Sequence, residues 1–150
     1  MKAPFVIDPN PTVLWPVVVA LPQGGSYRKH RFTATFRVLP EAEYAALEAA
    51  SRNILEAIPA GEKSSADLVE FHAEQLPRLV VAWDGPADAA GAPIPVAALP
   101  DLLRGPYGKP LAFGINRAIS QIRYGVEADD EEEERPGASE GNSAPSPAAG

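Results

Sequence analysis

Apolar and polar positions alternate strictly from Arg28 to Val38. His30, Phe32, Ala34, Phe36 and Val38 fall on one side, and Arg31, Thr33, Thr35 and Arg37 on the other. Period two over this length predicts a strand with one buried face. Val13, Trp15, Val17 and Val19 repeat the pattern between Val13 and Ala20, and Gln23-Gly24-Gly25-Ser26 supplies the turn. Residues 13–38 therefore predict a β-hairpin. Pro16 has no amide N–H for a ladder, which assigns its strand to an edge or a bulge.

The period then changes to that of helices. Pro40 fits a first turn and Glu41 and Glu43 suit the positive end of a helix, while Tyr44, Leu47, Ile54, Leu55 and Ile58 form one stripe. This predicts a helix over about 41–58, ended by Pro59-Ala60-Gly61. A second helix over 65–76 starts at Ser64 or Ser65, either able to cap it, with Asp67 in the first turn. Its face is Leu68, Phe71, His72, Gln75 and Leu76, and Pro77 is expected to break or kink it at a cost of about 3 kcal/mol. Leu79-Val80-Val81 reads equally as a restarted helix or a short strand.

A compact block follows: Val80-Val81-Ala82-Trp83-Asp84-Gly85, then Asp88, Gly91 and Pro93-Ile94-Pro95-Val96. Such an order of apolar run, Asp-Gly turn, polar loop and prolines predicts a docked loop between two helical segments. Trp83 is its expected core anchor, pinning the loop from Asp84 to Pro95. A short helix over about 97–104 is kinked or started by Pro100, and Gly105-Pro106-Tyr107-Gly108 turns the chain. Pro110 opens the clearest amphipathic helix, over 110–124. Leu111, Ile115, Ala118, Ile119 and Ile122 make its apolar stripe, and Asn116, Arg117, Gln121 and Arg123 are expected to face away.

Charge alters the picture only at the C-terminus. The net charge is −7, yet residues 127–150 hold eight acids and one arginine, leaving 12 acids and 12 bases before them. The body is neutral and the tail carries the acidity. With almost no aliphatic residues after Gly125, residues 126–150 are expected to form a disordered acidic tail. The fold class expected is α+β: residues 1–125 make one globular domain, an N-terminal β-hairpin followed by a mainly α-helical part.

Composition also closes off chemistries. Cysteine is absent, which excludes disulfides, thiolate catalysis and cysteine-based zinc sites and is consistent with a reducing cytoplasm. No stretch approaches the roughly 20 apolar residues of a membrane span, and Met1-Lys2-Ala3-Pro4 lacks the apolar core of a signal peptide. A soluble intracellular protein is expected.

His30 and His72 sit on different elements with no second ligand at helical or hairpin spacing, so they are read as core-edge histidines and no metal is expected. Gly105-Pro106-Tyr107-Gly108-Lys109 has the wrong glycine spacing for a phosphate loop, with proline following the lysine. Arg28-Lys29-His30-Arg31 is a basic cluster flanked by Tyr27 and Phe32, but alternation splits it over two faces, so no nucleic-acid partner is expected. Asp129 to Glu134 lacks the ligand pattern and glycine of a calcium loop. Asp84 is read as a turn residue ahead of an acid–base group, and no nucleophile stands near a base in the pattern. No catalytic residue, cofactor or enzymatic activity is expected.

Taken in order from about Trp15 to Ile122, the chain resembles the tail assembly chaperones of long-tailed bacteriophages and prophages. The resemblance rests on Trp15-Pro16-Val17, on Phe32-Thr33-Ala34-Thr35-Phe36-Arg37, and on Leu39-Pro40 opening an acidic, alanine-rich helix. Its strongest part is Val80-Val81-Ala82-Trp83-Asp84-Gly85 with Asp88, Gly91 and Pro93. The chain departs from the family in the glycine- and proline-rich Gly105 to Pro110 and in Pro77. The resemblance implies a non-enzymatic protein that coats the long, helical, apolar tape measure protein and keeps it soluble while the tail tube assembles. It further implies residence in the host bacterial cytoplasm and absence from the mature virion. The hairpin edge offers self-association, and the partner-binding residues are not indicated. The alternative is a structural tail or head-completion protein retained in the virion.

Overall fold

A computed structural model describes residues 4–129. The fold is α+β: an antiparallel three-stranded sheet in the order β1-β2-β3, with four helices. Strand β1 (Thr12–Gln23) and strand β2 (Ser26–Arg37) pair along their full length, with Val17 opposite Phe32 and Trp15 opposite Ala34. Gly24 and Gly25 close the hairpin at φ of 60° and 85°. Two consecutive positive φ values are what a tight right-twisted hairpin turn requires, and glycine supplies them without strain. Pro16 lies on the edge strand, as its missing N–H demands.

The alternation sets the buried face only toward the open end of the hairpin. Val17, Val19, Ala34 and Phe36 are buried, whereas His30, expected on the same face, is exposed near the turn. Period two fixes which side a residue is on, not whether another element covers it.

Helix α1 (Glu41–Ala57) ends one residue earlier than expected and has Pro40 as its N-cap rather than in its first turn. Only Tyr44 is buried on it, and Leu55, assigned to the stripe, is 49% exposed. Helix α2 (Ser65–Leu79) runs through Pro77, correcting the break expected there. The proline sits in the last turn and costs the bond that its N–H would give to Ala73. The Val80 N–H still closes onto the Leu76 carbonyl, and Ala73, Leu76 and Leu79 remain one buried row. Asp67 holds the other end, its carboxylate accepting from the Ser64 N–H at 2.6 Å and from the Ser64 hydroxyl at 3.2 Å.

The apolar run after α2 is a strand, β3 (Val80–Asp84), which turns the expected hairpin into a three-stranded sheet. Its pairing with β2 shifts between Thr35, opposite Ala82, and Phe36, opposite Val80. Val81 is the extra residue of the resulting bulge. Beyond a 3₁₀ turn at Val96–Ala98, helix α3 (Leu99–Arg104) carries Pro100 at its start. Helix α4 (Gly108–Tyr124) begins two residues before Pro110.

The core lies between the sheet and α2, α3 and α4, with Val17, Phe36, Leu99 and Ile115 fully buried. Helix α4 rests directly on β1. A Cβ added at Gly114 would meet the Val18 carbonyl oxygen at 2.5 Å, so only glycine lets the two backbones approach this closely. Gly125 ends α4 in the left-handed conformation (φ 71°), and the Val126 N–H turns back to the Gln121 carbonyl at 2.9 Å. Of the expected tail, 126–129 are described and are tied back to the body; 130–150 lie outside the described residues. No helix among the described residues is long and apolar enough to cross a membrane.

Candidate functional site

Helix α1 stands between two depressions. The larger, about 770 Å³, lies between α1, α2 and the link from β2 to α1. Its apolar lining comes from Val38, Leu39, Leu47, Phe71 and Leu79, with Glu43, Ala46 and Ala50 on the α1 wall and Arg37 and Arg78 at the rim. The smaller, about 230 Å³, is bounded by Tyr44, Glu48 and Ser51 on the other side of α1 together with His72, Ile119 and Arg123. Two sets of residues along α1, each spaced by three or four, thus line the two grooves, while Leu47 and Phe71 reach both.

Polar contacts hold α1 over this space. Arg123 of α4 donates to Glu41 at 2.6 and 3.0 Å and to Glu48 at 3.0 Å, and its side chain is only 11% exposed. Its guanidinium also lies 4.6 Å from the Tyr124 ring centre and 5.9 Å from that of Tyr44. Arg123 lowers the pKa of both carboxylates through those hydrogen bonds, and Glu41 in turn raises that of Arg123. At the N-terminal end of the helix, the Tyr44 hydroxyl accepts from the Leu39 N–H at 3.1 Å.

His72 faces the smaller groove, its Nε2 3.4 Å from Asn116 Nδ2. Burial lowers its pKa, favouring the neutral imidazole. His30 lies on β2, away from it, and among the described residues no group of three or more His, Cys, Asp or Glu could hold a metal ion. Asp84 ends β3 opposite Thr33, not in a turn. The turn is made instead by Asp88, whose carboxylate accepts from the Ala90 and Ala92 N–H groups, both at 2.9 Å.

Trp83 occupies the anchoring position. It is half-buried, its indole donates to the Ile94 carbonyl at 2.7 Å, and it meets Phe32 edge-on at 5.7 Å. Gly85 is required behind it, since a Cβ there would lie 2.1 Å from that of Phe32. The residues between Gly105 and Lys109 form a close turn onto α4, where the Gly108 Cβ position meets the Leu103 carbonyl at 2.0 Å.

Two residues expected to face away from α4 do not. Gln121 is buried and accepts the Trp15 indole N–H at 2.8 Å; Arg123 is the clamp on α1. No local signal could find either, because their partners lie 106 and up to 82 residues away. The arrangement provides an apolar groove whose α1 wall is held by polar contacts. Compared with protein families, curated proteins and solved structures, the chain matches none of them.

Proposed function

We propose that this protein is a phage tail assembly chaperone that receives an apolar helical segment of the tape measure protein in the groove between α1 and α2. The observation carrying this reading is the open groove of about 770 Å³ floored by Leu47, Phe71 and Leu79. An amphipathic helix buries its apolar face in such a groove through residues spaced by three or four. The rim carries Arg37, Arg78 and Glu43, which suits a partner helix with mixed charge beside its apolar stripe. Residence in the host cytoplasm and absence from the finished particle belong to the same reading.

Co-expression with the tape measure protein tests it directly. The natural chain should keep that protein in the soluble fraction, and Leu47→Glu, which places a charge on the groove floor at a half-buried site, should lose this while staying folded by circular dichroism. A tape measure protein that precipitates equally with and without the chain sinks the proposal. Recovery of the chain from purified virions by mass spectrometry would favour a structural tail or head-completion component instead.

A further inference from the structure

After α4 the chain doubles back rather than leaving the body. Asp129 reaches the middle of the helix, where Arg117 donates to both its carboxylate oxygens at 2.7 and 2.8 Å. Arg31 of β2 donates to its backbone carbonyl at 2.9 Å. The Asp129 side chain is 16% exposed. Its pKa is lowered, first by the hydrogen bonds from Arg117 and also by Gln121 and by Lys29. Lys29 and Arg31 share one face of β2 by the alternation of the strand and are both half-buried. The described chain therefore ends with a carboxylate seated among three cations contributed by two elements. The next five residues, Asp130 and Glu131 to Glu134, are all acidic.

We propose that Lys29, Arg31 and Arg117 form a docking face for an acidic extended peptide, and that its occupant is this chain's own run of residues 129–134. Complementarity and continuity both support it. The five acids follow directly from a residue already held by these cations, within about 17 Å of extended chain. This inference is independent of the groove between α1 and α2 and of the tape measure partner.

Zero-length carbodiimide cross-linking of the full chain, mapped by mass spectrometry, tests it. Lys29 should join a carboxylate within 130–134, and the link should fade as salt rises from about 10 mM toward about 0.5 M, where screening shortens the reach of charge to a few ångströms. Mixed isotopically light and heavy chains should give links within one chain. A second measurement uses a fluorescein-labelled hexaglutamate peptide. A full-length variant with Asp130→Asn and Glu131→Gln through Glu134→Gln should bind the probe about tenfold more tightly than the natural chain at low salt. Arg117→Gln in the same background should abolish that gain. The proposal is overturned if Lys29 links to no tail carboxylate, if the links join different chains, or if neutralising the run leaves probe binding unchanged.

Discussion

Helices α1 and α4 are each 17 residues long and amphipathic, yet they are held in opposite ways. Helix α4 buries seven residues, and α1 buries one, Tyr44. The difference lies in what each helix meets. Gly108, Ala112, Gly114 and Ala118 leave room for backbone to approach backbone, so Leu111 and Ile115 reach the sheet. Helix α1 packs against α2 beside open space and is tied by Tyr44 and by Arg123 bridging Glu41 and Glu48. One helix is part of the core; the other is a wall with space on both sides.

The sharpest test of that contrast pairs one apolar truncation on each helix. Ile115→Ala should cost about 4 kcal/mol in urea unfolding, from lost burial plus the cavity left in a site that cannot collapse. Leu47→Ala on α1 should cost about 1 kcal/mol, because its side chain already borders open space. Equal losses would erase the distinction.

Trp83→Ala should cost about 3 kcal/mol, since it removes the contact with Phe32 and leaves the loop without its tie at Ile94. A fully stable Trp83→Ala protein that had lost only partner binding would make the tryptophan a contact residue instead. Gly114→Ala should follow at about 1–3 kcal/mol, because the Val18 carbonyl must move to admit a methyl group. Alanine favours helices over glycine, so a stabilised variant would mean that α4 and β1 are not in backbone contact.

Arg123→Gln should leave the unfolding midpoint close to that of the natural chain while amide exchange in α1 accelerates and that in α4 does not. The same loosening should appear on acidification. The pKa values of Glu41 and Glu48 lie below their ordinary 4.5 in the folded chain, so the attachment is complete above that value and is lost as pH falls through the lowered ones. The smallest effect concerns His72. Its lowered pKa means that the unfolded chain binds the proton first, so stability is full above 6.5 and declines as pH falls from there toward the folded value. A proton resonance titration with its midpoint at or above 6.5 would mean that water reaches the imidazole.

The candidate groove is a difference between helices, and neither helix alone predicts it. The periodicity of α1 predicts a stripe that includes Leu55, but an apolar residue is buried only if something covers it, and Leu55 is left half exposed. The Trp83 block is readable as an anchored loop because tryptophan, glycine and proline constrain their neighbours. That Asp84 ends a strand while Asp88 makes the turn depends on the partner strand.

The amino-acid order by itself determined the alternating hairpin, the glycine turn, the α+β sequence of elements and the apolar stripe of α4. These depend on spacing and on the conformational limits of glycine and proline, which act within a few residues. Tertiary structure alone decided that Val80 to Asp84 joins the sheet and that α2 carries Pro77 to its last turn. It also turned Gln121 and Arg123 inward and seated Asp129 between α4 and β2. Each of these is a polar group or an apolar run satisfied by a partner distant in sequence, and the free energy of that pairing exists only once the chain has folded to bring the partner near.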